Sequence, residues 1–123
     1  DIVELLISKG ADVNFIGGNR GYPLIVAIKL NNVEVVRMLL ANDADINAKD
    51  RNTNGESPLF YSLNSRNIEI TKMLINEGVD FNIKYNKSLT PLDRVINWND
   101  DFSDDFLRKH GGKTSEKLKD EGK

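Results

Sequence analysis

The chain has 123 residues, with 17 Lys or Arg against 19 Asp or Glu and a formal net charge of −2. This length bounds it to one domain, and a charge so close to zero excludes the concentrated basic field of a nucleic-acid groove. The absence of cysteine excludes disulfides and thiolate metal sites or nucleophiles, and it fits an intracellular, cytoplasmic location. No apolar run reaches the roughly 18 residues of a membrane span, so neither a nucleic-acid partner nor membrane insertion is expected.

The first segment, 1–9 (DIVELLISK), has apolar residues at the spacing of a helix, and Gly10 follows as a left-handed C-cap. It matches the second helix of two later segments, and no first helix precedes it. Its apolar residues, Leu6 among them, are therefore expected to lack part of their cover. Because the chain begins with Asp1 rather than methionine, we expect a piece of a longer protein, either a monomer or a fragment of a longer array.

Three segments that each begin near a proline follow at a regular spacing. Pro23, Pro58 and Pro91 are 35 and 33 residues apart (58 − 23 and 91 − 58). A glycine or aspartate lies 20 residues after each proline, at Asp43, Gly78 and Gly111. Repetition at a period in the thirties is typical of solenoids, whose units bury their apolar faces only against their neighbours.

Each of these segments predicts two short antiparallel helices. Proline suits the first helical position, where its missing N–H costs nothing, and asparagine between the helices can turn the chain and cap the second one. Turn-rich stretches before the prolines, such as Asn54-Gly55, predict β-hairpin-like turns. The predicted helices span 24–30 and 33–42, then 58–65 and 68–77, then 91–97 and 101–109.

The last of these helices has changed character. Ser103, Asp104 and Arg108 occupy positions that are mostly apolar in the corresponding helices upstream. Because the outer face of a terminal repeat is exposed to solvent and must be polar, this helix is expected to form a C-terminal cap. The charged tail, 113–123, is expected to be frayed or to form a single short turn of helix.

The central segments read YPLIVAIKLNNVEVVRMLLANDADIN and SPLFYSLNSRNIEITKMLINEGVDFN, and the third reads TPLDRVINWNDDFSDDFLRKHGG. They resemble the ankyrin repeat, with its T-P-L-H-x-A helix start and G-A-D-V-N ending. The resemblance implies an all-α ankyrin-repeat solenoid of stacked helix-turn-helix units with β-hairpin-like turns. The implied units are a half-repeat at 1–14, repeats at 15–47 and 48–82, a C-terminal cap repeat at 83–112 and the tail at 113–123.

The chain departs from the family pattern at two kinds of position. The histidine after Pro-Leu is replaced by Ile25, Phe60 and Asp93, so the hydrogen bonds it usually makes to neighbouring turns are lost. The glycine between the two helices is replaced by Arg66 in the second repeat, and arginine is strained if its backbone is left-handed. We expect a lower stability and an unchanged fold.

Ankyrin arrays as a class bind other proteins with a concave face formed by hairpin tips and first helices. The resemblance therefore implies a non-catalytic protein–protein interaction module, or scaffold, with an unknown protein partner and no cofactor or metal. Two alternatives stay open. The chain could be the C-terminal regulatory or targeting arm of a larger enzyme or channel whose active part lies upstream, or a purely structural spacer, because fold alone does not establish function.

The resemblance also implies which residues contact a partner. The contact positions of the family, transferred residue by residue to this sequence, fall on hairpin tips and at the ends of first helices. They are Asn19, Gly21, Lys29, Leu30, Asn54, Glu56, Asn64, Ser65, Asn86, Lys87, Leu89, Asn97 and Trp98. The alternative for each is a solvated tip, and Trp98 is either a binding hot spot or a ring that covers the cap. The charged rim that includes Lys49, Asp50 and Lys84 is mildly basic, which favours an acidic partner surface.

The remaining polar residues show no catalytic or metal-binding pattern. Asp104 and Asp105 belong to an acidic cluster at a helix start, where carboxylates complement the helix dipole and the spacing is not that of an EF-hand. His110 has no second histidine or cysteine with which to form a metal site or nucleophile pair, and it suits a C-terminal cap. Glu34 and Glu69 lie at equivalent positions of two repeats and should face solvent.

Overall fold

A computed structural model of the chain describes residues 2–15, 22–50, 55–84, 88–97 and 101–122, with side chains for all of these except 2–4, 97 and 101–103. Within these ranges no stretch forms a β-strand, and the regular structure is α-helical. The helices, in chain order, are α1 (Ile2–Ser8), α2 (Pro23–Lys29), α3 (Val33–Ala41), α4 (Pro58–Ser65), α5 (Ile68–Asn76), α6 (Pro91–Asn97), α7 (Asp101–Lys109) and α8 (Ser115–Asp120).

The expected all-α solenoid of helix pairs is confirmed. The bounds of α4, α6 and α7 agree with the predicted ones, those of α3 and α5 differ by one residue at the C-terminal end, and those of α1 and α2 differ by one residue at both ends. Each first helix begins at a proline, Pro23, Pro58 or Pro91, as expected of a residue with no N–H to satisfy and a φ that suits helix entry.

The helices pack in pairs, and the pairs stack. α2 packs on α3, α4 on α5 and α6 on α7, while α2, α4 and α6 form one row and α3 contacts α5 in the other. Because each pair covers the apolar side of the next, the stack shares one continuous core. Its side chains that are at most 1% exposed are Leu24, Ile25, Ile28, Val36, Leu59, Ile70, Leu74, Leu92, Val95 and Leu107.

One leucine column shows how this cover builds up along the chain. Leu39, Leu74 and Leu107 occupy the same position in α3, α5 and α7, and they are 4%, 0% and 0% exposed. Leu6 occupies it in α1 and is 54% exposed, because α1 has no first helix of its own in this chain. The expected loss of cover at this end is confirmed.

The reversals between helices use left-handed backbone. Asn31 and Arg66 have φ of +55° and +57°, and Asp43 has φ of +66° after α3. Asparagine and aspartate tolerate this conformation, whereas other side chains adopt it at a cost of roughly 1–2 kcal/mol. Arg66 therefore has the left-handed backbone in which an arginine is strained.

An asparagine ladder ties each repeat to the next. The Oδ1 atom of Asn14 accepts a 2.7 Å hydrogen bond from the backbone N–H of Asp45, and that of Asn47 accepts a 3.1 Å bond from Asp80 N–H. Asn82 continues the pattern by accepting a 2.8 Å bond from Lys113 N–H. The ladder thus reaches the first residue of the charged tail.

The charged tail is docked rather than frayed. Thr114 caps α8 by accepting a 3.1 Å hydrogen bond from Lys117 N–H, and Ser115 N–H donates a 3.0 Å bond to Oδ2 of Asp93. Leu118 of α8 is only 5% exposed. Of the two predicted states of the tail, the frayed one is wrong, because Asp93 and the burial of Leu118 hold a short helix against the array.

Candidate protein-binding surface

The row of α2, α4 and α6, together with turn residues 47–50 and 55–57 beside it, forms a surface that we call the first-helix face. α4 lies between its neighbours and contacts both. The turn that precedes α4 is closed by a backbone hydrogen bond of 2.8 Å from Asp50 N–H to Glu56 O. This bond is the described part of the β-hairpin-like turn that the spacing predicts, and it brings two acidic residues together beside the helices.

Asp50 is held against two first helices. The hydroxyl of Tyr61, on α4, donates a 2.6 Å hydrogen bond to Oδ2 of Asp50. The ammonium of Lys29, on α2, lies 3.5 Å from the same oxygen and 4.7 Å from the centre of the Tyr61 ring. Since Asp50 is 2% exposed, its charge depends on these partners in place of water.

Glu56 makes the corresponding link to the third first helix. Its carboxylate lies 2.7 Å from Nη1 of Arg94, on α6, and the two side chains are 11% and 24% exposed. The guanidinium of Arg94 also lies 5.7 Å from the centre of the Phe60 ring, within cation–π range. The turn before α4 is thus connected by ion pairs to α2 and α6, and by the hydrogen bond of Tyr61 to α4.

These contacts fix the shape of the face and leave its outer side chains accessible. A surface whose geometry is set in the free protein loses less entropy when it binds. Buried ion pairs are weak evidence for net stability, because desolvation offsets much of their attraction. Their clearer consequence here is positional, since breaking either one would leave a buried charge and displace the turn.

Four of the predicted contact residues lie exposed at the ends of first helices. Lys29 and Leu30 end α2, with Leu30 73% exposed, and Asn64 and Ser65 end α4 in solvent. The two chain reversals that follow are linked by a 3.4 Å hydrogen bond from Asn67 Nδ2 to Asn31 Oδ1. The structure therefore brings this group together along one edge of the first-helix face.

The other predicted contact residues are less exposed or are not described. Leu89 is half-buried, and Glu56 is only 8% exposed with its carboxylate on Arg94, so Glu56 supports the turn from within. The expectation that Asp50 lies on a solvated rim is wrong, because Tyr61 and its neighbours bury it. Asn97 ends α6 with no described side chain, and Asn19, Gly21, Asn54, Asn86, Lys87 and Trp98 lie outside the described residues.

One pattern in the sequence could have predicted these contacts between the turn and the first helices. Tyr61 and Arg94 each lie three residues after a helix-starting proline (61 − 58 and 94 − 91), so they occupy the same position on adjacent helices. Polar groups at that position point towards the turns, where Asp50 and Glu56 supply carboxylates. What no local pattern shows is which carboxylate meets which helix.

The polar residues set aside on sequence grounds have structural contacts. Nδ1–H of His110 donates a 2.8 Å hydrogen bond to the Phe106 carbonyl near the end of α7, as expected of a C-terminal cap. Arg37 lies 2.9 Å from Glu34 and 3.7 Å from Glu69, both of which are exposed. Among the described residues no group of three His, Cys, Asp or Glu side chains could hold a metal ion.

Stacked helix pairs, an asparagine ladder and a row of first helices define the class of helical-repeat solenoids. Residues 24–75 match the family model for ankyrin repeats (many copies). The match runs through the two central helix pairs, which are ankyrin repeats. No curated protein matches the chain.

Ankyrin repeats are generally protein–protein interaction modules, and their domains are typically non-catalytic. In the part of the chain that the structure describes, no helix is long and apolar enough to cross a bilayer.

Proposed function

We propose that the chain is a non-catalytic module that binds a partner protein with its first-helix face. The observation that supports this most is the pair of charge links from the turn before α4 to α2 and α6, through Asp50 and Glu56. They hold a turn and three helices in one arrangement before any partner arrives. Rigid, preformed surfaces of this kind bind with a smaller entropic cost.

The outer part of this face suits contact with another protein. Leu30 holds a large apolar side chain in water at 73% exposure, and its backbone is fixed by a 3.1 Å hydrogen bond from its N–H to the Val26 carbonyl. The exposed polar residues Asn64 and Ser65 lie at the equivalent end of the next helix. Protein–protein interfaces combine an apolar centre with a polar rim. Leu30 beside Asn64 and Ser65 provides the same combination of apolar and polar side chains.

The test is affinity capture with matched variants. The chain is immobilised, and captured proteins are quantified by mass spectrometry for wild type, for Leu30→Ala with Trp98→Ala, and for Glu34→Ala with Lys72→Ala on the second-helix side. We expect the first double variant to lose specific partners and the second to keep them, with helicity by circular dichroism unchanged in both.

Two outcomes would contradict the proposal. Equal capture by all three proteins would show that Leu30 and Trp98 do not contribute to a binding face. Capture of no specific protein by the wild type would favour the spacer alternative, in which substitutions on this face change stability alone.

A further inference from the structure

A cleft of about 520 Å³ lies where the docked tail meets the bases of two turns, and the described residues that line it are Lys49, Asp80, Asn82, Ile83, Lys84 and Leu118. We call it the tail cleft. Its volume is in the range of pockets that enclose a side chain or small ligand. Leu118 belongs to α8, so one wall exists only because the tail docks on the array.

The charge of the tail cleft is positive. Lys49 and Lys84 are both the second residue after a ladder asparagine, Asn47 or Asn82, so they occupy equivalent positions in neighbouring repeats. Neither lysine makes an ion pair or side-chain hydrogen bond with any residue that the structure describes. Lys29 and Lys113, in contrast, are each paired with a carboxylate.

The other polar groups of the cleft are already engaged. Asp80 Oδ1 accepts a 2.8 Å hydrogen bond from Asn82 N–H. The amide of Asn82 accepts from Lys113 N–H at 2.8 Å and donates to the Gly111 carbonyl at 3.4 Å. Among the described lining residues there is one carboxylate against two ammonium groups, so their net charge is positive, and the groups that lack a described partner are cationic.

The floor of the cleft is apolar. Ile83 and Leu118 come from separate elements, and they are 9% and 5% exposed. A ligand group placed between the lysines would therefore touch hydrocarbon below and cationic groups at the rim. An apolar side chain fits that floor because it gains free energy in proportion to the apolar area removed from water.

We infer that the tail cleft binds an acidic peptide segment of the partner protein, with one apolar side chain on Ile83 and Leu118 and flanking carboxylates on Lys49 and Lys84. The inference rests on the proposed function, because it specifies the chemistry of the partner that such a module would bind. It also gives α8 a role in binding, since α8 completes the site.

The probe is a fluorescein-labelled peptide, Ser-Asp-Glu-Leu-Asp-Glu-Ser, followed by fluorescence anisotropy. Its controls are Ser-Asn-Gln-Leu-Asn-Gln-Ser, which lacks charge, and Ser-Asp-Glu-Ser-Asp-Glu-Ser, which lacks the apolar side chain. We expect the acidic leucine peptide to bind and each control to bind about tenfold more weakly or not at all. Binding should also weaken with added salt, since it depends on exposed charges.

Protein variants locate the binding. Lys49→Glu with Lys84→Glu reverses the charge of the rim and should reduce affinity at least about tenfold. Lys9→Glu with Lys72→Glu makes the same change in net charge at exposed lysines away from the cleft, and it should leave affinity within about twofold. Leu118→Ala should weaken binding of the leucine peptide more than that of the serine peptide.

Three results would overturn the inference: no binding of the acidic leucine peptide, equal weakening by both lysine double variants, or equal affinity for the leucine and serine peptides. These remain distinct from failure of the proposed function. If partner capture still depends on Leu30 and Trp98 while the peptide does not bind, the first-helix face stands as the binding surface and the tail cleft does not.

Discussion

The hydroxyl of Tyr61 donates a 2.6 Å hydrogen bond to a carboxylate of Asp50 that is 2% exposed, across 11 residues of chain. The bond joins the middle of α4 to the turn that leads into it. A carboxylate buried to this extent must be neutralised or paired, and Lys29 supplies the opposite charge at 3.5 Å. The turn therefore has a fixed place beside the first helices.

Tyr61→Phe should lower the free energy of unfolding by about 1.5–3 kcal/mol, the range for hydrogen bonds to charged groups. The matched control is Tyr22→Phe, because the Tyr22 hydroxyl makes no hydrogen bond with any described residue. Urea unfolding followed by circular dichroism measures both changes. A loss below about 0.5 kcal/mol for Tyr61→Phe would mean that the hydroxyl does not hold Asp50 in solution.

The N-caps of two first helices differ in a way that can be measured. Thr90 Oγ1 donates a 3.1 Å hydrogen bond to Asp93 Oδ2 and accepts a 3.2 Å bond from Asp93 N–H. Ser57 occupies the same position before α4, but its buried Oγ has no hydrogen-bond partner among the described residues, because Phe60 stands where the third repeat has aspartate.

We therefore expect opposite costs at these two caps. Thr90→Ala should lower stability by about 0.5–2 kcal/mol, whereas Ser57→Ala should change it by less than about 0.5 kcal/mol or raise it, since it removes an unsatisfied buried hydroxyl. Both are read from urea unfolding midpoints. Equal destabilisation would show that the Ser57 hydroxyl has a partner in solution.

The left-handed backbone of Arg66 predicts a stabilising substitution. Arg66→Gly should raise stability by about 1 kcal/mol, because glycine adopts φ of +57° without steric cost. Arg66 makes no ion pair with a described residue, so no attraction is lost. Asn31→Gly is the control and should give less, since asparagine tolerates this conformation. An unchanged melting temperature for Arg66→Gly would contradict the strain.

The different exposure of the leucines in this column predicts different losses of stability on substitution by alanine. Leu74 is 0% exposed and Leu6 is 54% exposed, although both occupy the same helix position. Leu74→Ala should cost about 2–5 kcal/mol through the cavity it leaves, and Leu6→Ala should cost less than half as much. A Leu74→Ala cost under about 1 kcal/mol would show that the repeats do not stack in the register described.

The docking of the tail depends on one carboxylate. Asp93 accepts hydrogen bonds from Thr90 N–H at 2.9 Å and from Ser115 N–H at 3.0 Å, so it joins the start of α6 to the start of α8. Asp93→Ala should speed amide hydrogen exchange across 113–120 by at least about fivefold, relative to the exposed control Asp105→Ala. Unchanged exchange would mean that Leu118 and the Asn82–Lys113 hydrogen bond hold α8 without Asp93.

Much of the fold could be predicted from the sequence because its determinants are local. The period of the prolines, the helix spacing of apolar residues and the asparagine between helices each act within a few residues. They predicted the seven helices that precede the tail to within one residue. The resemblance gave Lys29, Leu30, Asn64 and Ser65 as contact positions, and their contact with a partner stays a prediction.

Some features could not be predicted because their partners are far apart in sequence. Lys29 and Asp50 are 21 residues apart, Glu56 and Arg94 are 38, and Asp93 and Ser115 are 22. The pattern of charges alone predicted that Asp50 lies on a solvated rim, since charged residues in a turn are usually exposed to solvent. The sequence did not decide whether the tail is frayed or forms a single turn of helix, because six residues are too few to hold a helix without tertiary contacts.

The amino-acid sequence by itself determined the class of fold and the places of the seven helices that precede the tail. It did so because helix periodicity and turn chemistry depend on near neighbours. Only the tertiary structure decided which charges are buried, how the turn before α4 is connected to three helices and where α8 docks. Burial and ion pairing depend on which segments the stacking brings together, and no single segment carries that information.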